Sequence, residues 1–227
     1  MAQRERALDF LVVGLGGAGG RLAAEMAKRG YRAVTFHSTR RAVDAQEHVA
    51  KERCHFIGAD DSAGTAGDPR IGERLVRDNG RRIADIVRSE ARDASVVLVM
   101  AGLGGGTGSA VAELVGGLDS ELPVLVVATL PTAGATAETK VNAVRAVHSL
   151  TKAELDGLIL VDHARLVDMN ADVPLLEYRE TINQKIVEPL DALNRMGGRE
   201  DLTPVSALDG LRLARVLTAG GTLNFAS

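Results

Sequence analysis

The sequence predicts an α/β fold: a Rossmann-like parallel sheet with helices on both faces, followed by a long helix. Three observations carry that prediction. Short apolar, β-branched runs alternate with stretches of helical period, the pattern of strands covered on both faces by crossover helices. Two glycine-rich turns, "VVGLGGAGGRLAAEM" and "MAGLGGGTGSAVAEL", each join such a run to such a stretch. The length, 227 residues with 45 % hydrophobic and 25 % charged composition, is enough for one large domain with a substantial core.

The elements follow in order. Residues 8–13 form an apolar run ending at the first glycine turn, and the period of residues 17–29 makes a helix out of it. Short strands are expected at 33–36 and 54–57. Pro69 opens a helical pattern to residue 90, as a first-turn proline does. A strand at 95–100 enters the second glycine turn, with a helix over 108–118 beyond it. Strands at 124–129 and 157–161 flank a helix over 137–151. A long amphipathic stretch, 173–196, contains Pro189 as an expected kink and ends at Gly197-Gly198. A last helix over 206–217 and a strand over 222–226 complete the reading. Residues 1–198 are expected to form one domain that includes the long helix, with residues 199–227 as a loop, helix and terminal strand.

Composition excludes several classes of function. A net charge of −3 with scattered basic residues, and only 3 % aromatics, gives nucleic acid neither an electrostatic footprint nor stacking platforms. Cys54 is the only cysteine, so no internal disulfide forms, and a structural thiol is expected. "MAQRERALDF" has charges but no apolar core of a signal peptide, and no run reaches the roughly 18–20 apolar residues of a membrane span. The expectation is a cytoplasmic protein without direct membrane insertion.

The glycine turns carry the chemistry. In an open parallel sheet ligands sit beyond the carboxyl ends of the strands, where both turns lie. A turn that follows a strand and opens a helix offers free N–H groups and the positive end of the helix dipole to an anion, most often phosphate. The first turn contains a formal G-x-G-x-x-G from Gly14 to Gly19. A dinucleotide site would want an acid about 20 residues on. Residues 36–41 read "FHSTRR" instead, which leaves an NADP-dependent oxidoreductase open through a 2′-phosphate. The second turn argues against it, since "GLGGGTGS" has no standing use in a dinucleotide fold. Nor is it a Walker loop, because no lysine follows, so backbone, dipole and metal must meet the phosphate charge.

"GGGTGS", Gly104 to Ser109, resembles the signature of the tubulin/FtsZ family of polymerising GTPases, and the order of the other motifs is similar to that of FtsZ. "VVGLGGAGG" resembles the family's first glycine loop, and "AGTAGDPRIGERL" resembles the FtsZ loop with Gly-Asn-Pro-x-x-Gly, read here from Gly67 to Gly72. "TLPTAGATAETKVNA" lies where the family contacts ribose, and "LILVDHARLV" lies where FtsZ has a strand ending in Asn-Asp-Arg. The resemblance implies the tubulin/FtsZ GTPase domain with its long central helix and the activation domain absent, "GGTLNFAS" standing where that domain's first strand would be.

It also implies nucleotide-binding roles, residue by residue. Gly104, Gly105, Gly106, Thr107 and Gly108 match the phosphate signature, and Gly16, Gly17, Ala18 and Gly19 match the first loop. Arg21 and His163 stand where FtsZ has asparagines, and Thr39 where it has an aspartate. Glu138 is the implied ribose contact; Asn142 occupies the place of an arginine, for which Lys140 stands in. Tyr178 is the implied aromatic that stacks on the base, and Ile182 replaces the aspartate that reads guanine. The catalytic loop of FtsZ, Asn-x-Asp-x-x-Asp, corresponds to residues 204–209, where only Asp209 matches. That carboxylate is the candidate catalytic residue, polarising the attacking water. No resident metal site is expected. GTP or GDP is the implied ligand, with Mg2+ as a candidate companion.

The leading reading is therefore a divergent FtsZ/tubulin-like GTP-binding cytoskeletal protein, filament-forming through head-to-tail association. Whether it is an enzyme stays open; hydrolysis of GTP, if present, would be slow and dependent on assembly. The expected partner is another copy or a full-length FtsZ-like homologue. The alternative is a non-hydrolysing homologue acting as a binding or regulatory module, and the remote one is the NADP-dependent oxidoreductase.

Overall fold

A computed structural model describes residues 6–59, 64–197 and 222–223. Among the described residues seven parallel strands lie in the order β3-β2-β1-β4-β5-β6-β7. The chain begins at one side of the centre with β1 (Phe10–Leu15), α1 (Gly16–Lys28), β2 (Arg32–His37) and α2 (Arg40–Asp44). A single 3-10 turn leads into β3 (Cys54–Phe56), and α3 (Pro69–Asp78) and α4 (Gly80–Glu90) return the chain to the centre. There β4 (Val96–Gly102) pairs with β1 and is followed by α5 (Gly106–Ser109), α6 (Val111–Gly117), β5 (Val124–Thr129), α7 (Ala137–Leu150) and β6 (Gly157–Val161). Then come α8 (His163–Met169), α9 (Leu175–Gly197) and β7 (Thr222–Leu223), the last paired with β6.

The strand period of two sorts the side chains into two cores. Leu11, Val13, Leu15, Val97, Val99 and Val126 face α3, α4, α6 and α7. Phe10, Val12, Leu98, Met100 and Val127 face the other way, toward Leu22 and Met26 of α1 and Ile182, Ile186 and Val187 of α9. The central strands are buried on both faces, which is why they read as unbroken apolar runs. Among the described residues no helix is long and apolar enough to cross a membrane.

Several expectations shift. The first strand runs two residues beyond the 8–13 span, through Gly14 to Leu15, because the chain turns only where Gly16 takes φ 69°. The helix expected over 69–90 is two helices: Asn79 adopts φ −99°, ψ 5°, and its side-chain amide donates to the carbonyls of Leu75 and Ile57. The 108–118 helix is likewise interrupted at Ala110. The long helix is continuous across Pro189. The helix expected over 206–217 lies outside the described residues.

The end of α9 is fastened to the start of the chain by Asn194, which is fully buried. Its side chain accepts from Leu8 N–H at 2.8 Å and donates to Leu8 O at 2.9 Å and to Tyr31 Oη at 3.1 Å. Asn194→Ala leaves the Leu8 N–H and carbonyl without partners and Tyr31 Oη with Asp191 alone, so it is expected to cost about 2–3 kcal/mol. Thermal melts followed by circular dichroism check this, and an unchanged midpoint would show that the latch contributes nothing.

Candidate functional site

The chain leaves β1 for α1 on one face of the sheet and leaves β4 for α5 and α6 on the other. The two connections diverge between neighbouring strands and open a crevice at their carboxyl ends. Both glycine turns border it. A Cβ on Gly16 would stand 3.1 Å from Gly108 N and from Thr107 Cβ, so the turns meet.

The glycines divide the work. Gly16 and Gly104 have φ of 69° and 105°, conformations that L side chains rarely adopt. Gly19 abuts the Met100 carbonyl, Gly108 the Gly102 carbonyl and Gly106 the side chain of Thr65, so these three are required for close packing. Ala18 packs its methyl against Gly102. Gly17 and Gly105 are the ones that stay exposed. Nothing lies within 4 Å of a Cβ built on Gly105, and only Arg21 Nη1, at 3.5 Å, approaches one built on Gly17. Bare backbone is thus presented to the crevice from each turn.

The hydroxyls of the second turn are used internally. Ser109 Oγ accepts from Gly104 N–H at 2.9 Å, and Thr107 Oγ1 donates to Ser38 Oγ at 2.9 Å, with Thr65 Oγ1 at 3.4 Å. Asn142 of α7, 5 % exposed, donates to the carbonyls of Gly104 at 3.3 Å and Gly67 at 3.2 Å. Ser38 and Thr65 are second-loop supports that the sequence reading did not single out, and Asn142, which it placed only where the family has an arginine, is a third. A polar residue in a buried helical position was the available signal for Asn142.

The other implied residues lie on several elements. Thr39 caps α2, its hydroxyl accepting from Ala42 N–H at 3.2 Å. His163 opens α8, and its Nε2 is buried without a hydrogen-bond partner. Burial, then the Arg21 charge, holds its imidazole below the ordinary range. Burial, then Arg179, likewise lowers Arg21. Tyr178, on α9, has a buried hydroxyl without a partner, and burial followed by Asp168 raises its pKa. Ile182, 1 % exposed, is packed in the core between α1 and α9 and brings no polar atom to the site. Glu138 is exposed in the first turn of α7, and Lys140 donates to the Ala133 carbonyl of its own loop at 2.7 Å. Asp209 lies outside the described residues.

His37, at the end of β2, is 2 % exposed with both ring nitrogens unpartnered. Burial pushes its pKa from 6.5 down to about 4, with Arg21 adding to the shift. The neighbouring Gln46 amide opposes it, although neither ring nitrogen reaches a hydrogen bond. The native protein therefore refuses a proton that the unfolded chain accepts. This contribution to stability is complete above pH 6.5 and is lost as pH falls toward 4. The loss amounts to up to about 3 kcal/mol. The gap between urea midpoints at neutral and acid pH should narrow in His37→Gln, with His55 and His163 keeping part of it; an unchanged acid sensitivity would remove His37 as a source.

A family model for the Tubulin/FtsZ family, GTPase domain, matches residues 9–171. The FtsZ cell division protein of Buchnera aphidicola is 28 % identical over 177 residues, which are 76 % of this chain and 45 % of that protein. The chain thus spans about half the length of that relative. Among solved structures, the GDP-bound monomer of CetZ1 from Haloferax volcanii superposes with TM-score 0.76 at 19 % identity, covering 95 % of this chain and 66 % of that one. TubZ from Bacillus thuringiensis serovar israelensis, in a GTPγS-form protofilament, gives TM-score 0.75 at 17 % identity over 96 % of this chain and 62 % of that one. These two structures match the fold. The family model decides against the dinucleotide alternative that the first turn alone had left open. The chain belongs to the tubulin/FtsZ family and carries its GTPase domain.

Proposed function

We propose that the crevice between β1 and β4 binds GTP and GDP, and that the chain assembles head to tail with its own kind or with a longer FtsZ-like homologue. The observation that carries this reading is the pair of exposed glycines, Gly17 and Gly105, facing one crevice from two converging turns. Their N–H groups meet phosphate oxygens, and α1 directs the positive end of its dipole at the same place. Tyr178 stacks on the base, and Glu138 and Lys140 take the ribose side. His37 and His163 remain neutral at pH 7, which makes them hydrogen-bonding groups rather than charges. The GDP bound to CetZ1 and the GTPγS form of the TubZ protofilament support a guanine nucleotide and a filament as the family's mode of action.

Hydrolysis is assigned to Asp209, entering a neighbouring subunit's crevice and polarising water there. Mg2+ is the candidate companion of the phosphates.

The test is to denature freshly purified protein and identify released nucleotide by chromatography. Near-stoichiometric GDP or GTP is expected, with phosphate release from added GTP abolished in Asp209→Ala. An empty crevice together with no thermal shift on adding GTP would overturn the reading.

A further inference from the structure

We propose that Arg21 and Arg179 form a phosphate subsite beside the first glycine turn, a guanidinium clamp spanning α1 and α9; the inference rests on the nucleotide reading above. Arg21 Nη1 lies 3.5 Å from the Cβ position of Gly17, so its charge sits over the exposed turn. Arg179 follows Tyr178 on α9, and both arginines line one cavity of about 660 Å³. They repel each other, and among the described residues neither pairs with a carboxylate.

The acids of that wall are engaged elsewhere or stand apart. Glu25 binds Lys28 at 2.8 Å and Arg29 at 3.4 Å, and Glu180 binds Lys28 at 2.8 Å. Glu47 also lines the cavity, without pairing to either arginine. The other groups that feel Arg21 are the buried rings of His37 and His163, whose ring nitrogens His37 Nδ1, His37 Nε2 and His163 Nε2 lack partners. Two exposed like charges thus share one cavity, close enough for Arg179 to lower the Arg21 pKa, and among the described residues no carboxylate pairs with either, next to backbone that the reading above assigns to phosphate. A phosphate between them would relieve the repulsion and match the planar fork of each guanidinium. The glycine turns contain no lysine, and the clamp supplies the missing fixed positive charge. The phosphate comes either from the 5′ chain lying in the turns or from a second phosphorylation of the ribose.

The full chain, as wild type, Arg21→Gln, Arg179→Gln and the double variant, is titrated calorimetrically with GDP, GTP, guanosine 3′,5′-bisdiphosphate and tripolyphosphate. Each single variant is expected to lose roughly tenfold or more in affinity for the ligand that reaches the clamp. The double variant should lose less than the product, because one anion is shared. Weakened GTP and tripolyphosphate assign the clamp to the 5′ chain; weakening confined to the 3′-phosphorylated nucleotide assigns it to the ribose. Without ligand, Arg179→Gln should melt no lower than wild type, whereas a structural role would lower its midpoint. Unchanged affinities in both variants, with wild type binding normally, overturn the clamp and leave the glycine reading intact. Tripolyphosphate binding that depends on the arginines, without any nucleotide binding, keeps the clamp and overturns the nucleotide reading. Wild type that binds none of the four overturns both.

Discussion

Gly105→Asp is expected to lose nucleotide binding while keeping its fold. Gly105 is the N-cap of α5 with φ −83° and ψ 171°, an extended conformation open to any residue, and nothing lies within 4 Å of the Cβ it would gain. Aspartate is among the favoured residues at an N-cap, so the helix start is not harmed. Its carboxylate would project into the crevice that the bare backbone now faces. Bringing like charges together there costs several kcal/mol. A loss of about 100-fold or more in affinity for GDP and GTP follows. The neighbouring position cannot make the same test: a side chain on Gly106 would meet Thr65 and the Asp68 carbonyl, so lost binding would be confounded with a shifted loop. Calorimetric titration and a ligand-free melt check the prediction together. Full affinity in a folded Gly105→Asp protein would mean that phosphate does not lie over this turn.

Much of this arrangement was legible in the sequence because its causes are local. The strands of the centre announce themselves as β-branched runs, since burial on both faces removes the polar alternation. Pro69 marks the start of α3, where Asp68 caps the helix by accepting from Arg70 N–H at 2.8 Å. The helices α2 and α8 were not legible: at five and seven residues they are too short to show a period. Their starts rest on caps at Thr39 and Asp162. The break at Asn79-Gly80 was written in the residues, but the carbonyl of Ile57 that holds the asparagine comes from a distant segment. The same limit applies at the site. "GLGGGTGS" reads as a uniform flexible cradle, yet Thr139, Thr65 and the Gly102 carbonyl each press on a different glycine and leave Gly105 alone open. Only tertiary neighbours distinguish a glycine that packs from one that faces a ligand.

That distinction predicts the largest loss of stability at Gly19. This residue lies in the first turn of α1, where the helix crosses the end of β4, and the Cβ of an alanine there would overlap the Met100 carbonyl oxygen. The same Cβ would stand 3.0 Å from the carbonyl carbon and 3.3 Å from Ala101 Cα, so no side-chain rotation relieves it. Either α1 lifts away from the sheet or β4 bends. Lifting α1 also separates Leu22 and Met26 from the core they share with Leu98 and Met100. A cost of about 4 kcal/mol is expected, at the upper end for single substitutions. For a chain of this length that lowers the melting temperature by roughly 8–16 °C. Nucleotide affinity should fall with it, because Gly17 is carried on the same turn as the displaced helix. Gly116→Ala in α6 is the control: nothing lies within 4 Å of its Cβ, and alanine favours the helix, so its midpoint should hold or rise. If Gly19→Ala melts with wild type, the close crossing of α1 over β4 is absent in solution, and the placement of Gly17 at the crevice loses its support.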